Sequence, residues 1–106
     1  MIVITGSIRA RPEHVDALLA LGLEHVRRSR AEPGCLAHAV HRDVEDPLRL
    51  VFVEQWADAA SVAAHFALPA SQGFVAQAAR LASEPPRIEV FDAQPARIAP
   101  AARGAR

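Results

Sequence analysis

The chain contains no lysine, no tyrosine and no asparagine among its 106 residues. Schiff-base chemistry through lysine and acid catalysis through a phenol are thereby excluded. A lone cysteine, Cys35, rules out an intrachain disulfide framework. No stretch approaches the roughly 18 apolar residues of a membrane span. The opening MIVITGSI has no basic segment ahead of a long apolar run, so no signal peptide is read and a cytoplasmic protein is expected. The 12 basic and 12 acidic side chains cancel, which leaves no electrostatic footprint for nucleic acid. Neither a nucleic-acid nor a membrane partner is expected. There is no internal repeat and no glycine-rich phosphate loop.

What the chain does have is apolar pattern. Half of its residues are hydrophobic, enough for one packed domain. Residues 2–10 read as a β-branched strand with Gly6 at a bulge or close approach. Pro12 suits a helix start, and Val15, Leu18, Leu19, Gly22, Leu23 and Val26 make one apolar stripe over 12–30. Pro33-Gly34 stops it. Residues 35–44 and 48–56 read as two strands joined through Glu45-Asp46-Pro47. In the second of these, Leu48, Leu50 and Phe52 lie on one face and Val51 and Val53 on the other. One layer of helices covers only one face, so a second copy of the chain is expected on the other.

Asp58 is placed to cap a helix over 58–67, with Val62, His65 and Phe66 on one face. Pro69 breaks it. Ser71 is read as the cap of a further helix that turns Phe74, Val75, Ala78 and Leu81 inward. Residues 87–92 form a last strand. A domain over 1–93 is expected, with 94–106 a loose tail of small residues, prolines and arginines. The order β-α-β-β-α-β, its second helical part in two pieces, predicts an α+β ferredoxin-like fold with an antiparallel sheet.

One set of residues is recognisable as a pattern. It comprises Glu32-Pro33-Gly34-Cys35-Leu36, Glu45-Asp46-Pro47, Glu54-Gln55-Trp56, His65 and Phe74. Together they resemble the antibiotic biosynthesis monooxygenase family, including its quinol monooxygenase branch, over about residues 1–92. The resemblance implies a ferredoxin-like fold paired into a dimeric α/β barrel. It also implies oxidation of a phenolic, quinol or anthrone-like aromatic by O₂, with no flavin, haem or metal. Two departures stand out: His38 occupies a position often held by tyrosine, and Pro69-Ala70-Ser71 lacks a histidine often found after that proline. The haem-degrading branch relies on an asparagine, which this chain lacks.

The candidate site residues each have a structural alternative. Trp56 shares a strand face with Glu54 and is either a stacking wall for a flat substrate or a core residue. His65, beside Val62 and Phe66, is either a core histidine or a general base. His38 and His41, three apart on one strand, face opposite sides. His38 is assigned to the pocket if Val44 pairs with Leu48, which sets His38 against Glu54, and His41 to a surface or interface. His14 and His25 fall outside the apolar stripe and are read as solvated. Glu54 is expected to pair with an arginine such as Arg42, itself a candidate partner for a substrate anion. Phe52 and Phe66 complete the substrate-binding set. Cys35 is read as a small buried filler, and no Cys, His, Asp or Glu set has metal-ligand spacing. The leading expectation is a cofactor-independent monooxygenase. A haem-binding or haem-degrading relative and a non-catalytic binding dimer are the alternatives.

Overall fold

A computed structural model describes residues 1–99 of the chain. Its elements are β1 (Ile2–Arg9), α1 (Val15–Ser29), β2 (Cys35–Arg42), β3 (Arg49–Trp56), α2 (Ala59–Ala67), α3 (Pro69–Leu81) and β4 (Arg87–Asp92). The four strands form one antiparallel sheet in the order β2-β3-β1-β4. This is the ferredoxin-like α+β arrangement. Residues 94–99 carry neither helix nor strand, and the rest of the expected tail lies outside the described residues.

Strand alternation sorts the sheet into two faces. Leu50, Phe52, Glu54 and Trp56 of β3 point to the helices and are buried, and so do Ile4 and Ile8 of β1. They join Leu18 and Val26 of α1 and Phe74 and Ala78 of α3 in the core. The opposite face carries Val51, Val53 and Gln55, with Val53 exposed. No element among the described residues covers it.

Several local readings change. Gly6 does not bulge: it pairs with Phe52 and with Ile88 in unbroken ladders. The irregularity lies instead between Cys35 and Ala37, where Leu36 is squeezed out of register and left 58% exposed. The buried stripe of α1 is Leu18, Gly22, His25, Val26 and Ser29, rotated from the expected one. Gly22 lets the Phe52 ring approach, since a Cβ there would come within 3.0 Å of it. Ser71 does not cap α3. Leu68 is the shared cap, Pro69 takes the first helical turn, where a missing N–H costs nothing, and Ser71 is buried inside. Val75 is 61% exposed rather than inward, because α3 leans toward α1 and leaves β4 bare on its helix side.

Two devices fix the entry to α2. The Asp58 carboxylate accepts from Ser61 N at 2.8 Å, capping the helix as expected. Gly34 adopts φ 82° and brings its carbonyl to accept from Ala57 N at 2.8 Å. That conformation disfavours any side chain, and a Cβ at Gly34 would also strike the Ser61 hydroxyl. The Pro33-Gly34 turn is thereby locked against α2, bringing Glu32 within reach of His65.

Candidate active site

Phe52, Glu54 and Trp56 stand two apart on β3 and so share its helix-covered face. β2 pairs with β3 in the register that sets His38 opposite Glu54. His41 consequently faces the other way and is exposed. α2 begins three residues after Trp56 and lays His65 back over the indole, with ring centroids 4.6 Å apart. Trp56, His38, Glu54 and His65 thus meet in one buried cluster.

Glu54 is the most costly member, a carboxylate 7% exposed in the middle of a sheet. Trp56 Nε1 donates to its Oε1 at 2.8 Å, and His38 Nε2 lies 3.2 Å from the same oxygen. Burial pushes the Glu54 carboxyl up, but His38 and the Trp56 N–H outweigh it, and the group lies below the usual glutamate range. The His38 contact is close enough for charge attraction but is not aligned as a hydrogen bond. Both His38 ring nitrogens are therefore buried without a hydrogen-bond partner among the described residues. His65 Nδ1 sits 2.8 Å from Glu32 Oε1. With Glu32 as a carboxylate, Nδ1 is the donor and the Nε2 lone pair is left free.

His25 corrects the expectation of a solvated residue: it is 5% exposed and completes the cluster. Its ring stacks on Phe74 at 4.1 Å and lies 5.4 Å from His38 and 5.3 Å from His65, centroid to centroid. Arg28 also approaches it, with a guanidinium nitrogen 3.3 Å from Nδ1. Burial, then the nearby His38, His65 and Arg28, lower its pKa to about 3. The expectation that no metal-spaced set exists is also overturned, because His25, His38 and His65 converge from α1, β2 and α2. Sequence reasoning missed His25 by placing the α1 stripe on its aliphatic residues. The positions 18, 22, 25, 26 and 29 are themselves a helical face, with two polar members.

The remaining candidates disperse. Arg42 does not pair with Glu54: it lies at the hairpin end, where its Nε donates to Pro47 O at 2.8 Å. Phe66 is 42% exposed and touches His65 only from outside, so the buried edge of α2 is Val62 and His65 alone. Cys35 is half-buried against Ile4, Trp56 and Val62. His14 is partly exposed.

Beside the cluster, on the helix side of the sheet, α3 and β4 part to leave a cleft of about 290 Å³. Its walls are mostly apolar: Ile8, Phe52, Val75, Ala79, Pro86 and Ile88. Gly6 keeps its floor open, and Glu54 is its one buried charged group. Trp56, His38 and His65 do not line this cleft. They stand behind Glu54, which connects them to it.

A ferredoxin-like sheet with a carboxylate, an indole and imidazoles buried beneath its helices defines a class of small α+β domains with a polar heart. The profile of the antibiotic biosynthesis monooxygenase family matches residues 1–77, and the chain belongs to that family. It is 33% identical over 85 residues to YcnE of Bacillus subtilis, a match covering 80% of this chain and 90% of YcnE. It is 29% identical over 90 residues to the uncharacterized protein sll1783 of Synechocystis sp.. That match covers 85% of this chain but only 61% of the Synechocystis protein. A crystal structure of an antibiotic biosynthesis monooxygenase superposes with a TM-score of 0.82 at 30% identity, covering 90% of this chain and all (100%) of that one. No helix among the described residues is long and apolar enough to cross a membrane.

The buried His25 generates a pH prediction. It stays unprotonated in the folded chain down to about pH 3 but takes a proton near its ordinary 6.5 when unfolded. The unfolded state therefore binds more protons between those values, and stability falls as pH drops through that window, by up to about 1.4 kcal/mol per pH unit. Denaturant midpoints measured from pH 7.5 to 5 should decline, and His25→Leu should flatten that decline. An equally steep decline in the variant would remove His25 as its source.

Proposed function

We propose that this chain is a monooxygenase that oxidises a small flat aromatic of the phenol, quinol or anthrone type with O₂, without a bound redox cofactor. The observation that carries this reading is the apolar cleft whose only buried charge is Glu54, backed by Trp56 and His38. Its volume of about 290 Å³ suits a compact ring system, near the lower end of the roughly 300–1,000 Å³ of small-ligand sites. Phe52 and Ile88 offer faces for a ring, and the Glu54 carboxylate accepts the hydroxyl hydrogen. His38, whose Nε2 lies 3.2 Å behind, takes up the proton once its ring turns into line with the carboxylate. Trp56 holds Glu54 in place. His65, oriented by Glu32, supplies a second acceptor beyond His38.

The chemistry needs little more from the protein. Removing the proton makes the aromatic an electron donor strong enough to reduce O₂ by one electron. The two radicals combine into a peroxide, which breaks its O–O bond. One oxygen stays in the product as a quinone carbonyl and the other leaves as water, so a quinol plus O₂ gives a hydroxyquinone plus H₂O. The substrate supplies the electrons, and the protein supplies binding, proton removal and exclusion of bulk water.

Oxygen uptake with a quinol or anthrone tests this reading. Glu54→Gln keeps the shape and the contact with Trp56 but cannot take a proton, and should slow turnover by about 10²-fold or more. His65→Ala should also lower the rate, and Trp56→Phe should weaken binding by loosening Glu54. Full turnover in a folded Glu54→Gln protein would contradict the assignment.

The chain works as a homodimer in this reading, joined through the uncovered sheet face. Val53 and Phe91 stand there 36% and 45% exposed, with Val3, Ala39 and Val51 around them. A permanent interface on such a face buries roughly 2,000 Å² or more. Sedimentation at micromolar concentration should give twice the 11.4 kDa chain mass, and a stable monomer would contradict it.

A further inference from the structure

His25, His38 and His65 come from three different elements, and one ring nitrogen from each lies within 4.8 Å of the other two in a buried setting. None is explained by packing alone. The sharpest anomaly is His38, which is 2% exposed with neither ring nitrogen hydrogen-bonded among the described residues. Buried polar atoms in native proteins almost always have a partner, whether protein, water or ion. We propose that these three histidines form a binding site for a divalent first-row transition-metal ion, with zinc the simplest occupant.

The ligand chemistry fits. Imidazole nitrogen suits zinc, and three histidines with one further position is a common tetrahedral set. At bond lengths of about 2.1 Å a tetrahedral ion holds its donors roughly 3.4 Å apart. The rings therefore need to close by at most about an ångström and a half, and His38 has no hydrogen bond to lose in turning. His65 is already prepared: Glu32 accepts from Nδ1 at 2.8 Å, which fixes the ring and presents Nε2. A carboxylate behind a histidine in this way is the usual outer support of a metal ligand. The Glu54 oxygen 3.2 Å from His38 Nε2, or a water, can take the fourth position. Phe74 beneath His25 and Trp56 beside His65 make the shell dry.

His25 sets the cost. A metal ligand must be unprotonated and free of a competing donor. Arginine can only donate, so the Arg28 contact makes Nδ1 an acceptor and places the ring hydrogen on Nε2. Binding through Nε2 requires Arg28 to swing aside. Its contacts are long, at 3.3 Å to Glu24 and 3.4 Å to Ala70 O, and it stands half-exposed over His25. It is thus a brake on binding.

The site shares His38 and His65 with the oxygenase reading but is tested apart from it, by metal binding measured without turnover. The tag-free chain is titrated with zinc chloride at pH 7.5 by calorimetry, and with cobalt(II) followed by visible absorption. The expected result is one equivalent bound per chain, the intense visible bands of tetrahedral cobalt, and a Tm raised by zinc. His38→Gln should weaken zinc by more than about 10-fold, a loss that removal of outer-shell support alone already reaches. Arg28→Gln should tighten it several-fold, which a merely structural role for the trio would not produce. The double variant His14→Ala/His41→Ala should bind as the parent does. Absence of binding, unchanged affinity in a folded His38→Gln protein, or loss of binding in the His14/His41 variant would each overturn the proposal.

Discussion

Glu54 places a carboxylate where a β-sheet would ordinarily place a leucine. Removing such a group from water costs several kcal/mol unless partners compensate. The neighbouring elements supply those partners. β3 contributes Trp56 two residues on, so that the indole N–H reaches the same oxygen that His38 approaches from β2. The β2–β3 register is held by this contact as well as by apolar burial, because a slip of one residue would turn His38 to the open face and leave Glu54 beside a partnerless site. The bulge at Leu36 lies between Cys35 and Ala37 and leaves His38 in step with Glu54. The polar cluster then propagates outward through His65 to Glu32, and through His25 to Arg28 near the surface.

Much of this was legible in the sequence. The strands, the Asp58 cap and the order of elements follow from alternation, Asp58, Pro12 and Pro33-Gly34, each of which acts locally. The meeting of Trp56, His38 and His65 was also readable, because two strands joined by a short turn allow few registers and α2 starts directly after Trp56. His25 was not readable. Helical periodicity ranks positions by hydrophobicity, and it selected Leu19 and Leu23 over His25 and Ser29. Those two turn inward only because the far end of α1 overlies the polar cluster rather than the aliphatic core. Ser29 is tolerated there because its hydroxyl donates to His25 O at 2.7 Å. Arg42 failed as a partner of Glu54 for a related reason: it shares the strand face, but Trp56 and His38 were nearer.

The cleft and the histidine trio lie on opposite sides of Glu54 and place different demands on the same groups. Proton uptake from the cleft needs the free lone pair of His38, and a metal at the trio would occupy it. Occupation of the trio and proton uptake by His38 are therefore mutually exclusive states of the cluster. The uncovered sheet face and the bare helix side of β4 lie outside this competition. They bear on how two chains meet and on how the cleft is walled.

The central claim is that Glu54 is held ionised by Trp56 and His38 against the pull of burial. The direct measurement is a titration of its side-chain carboxyl by carbon NMR, with the Trp56 indole N–H signal followed in parallel. The account predicts that Glu54 takes up its proton below the ordinary glutamate value of 4.5 and that the indole signal moves with the same midpoint. A midpoint above that value, or an indole signal indifferent to the titration, would show that burial governs this carboxyl and would contradict the account.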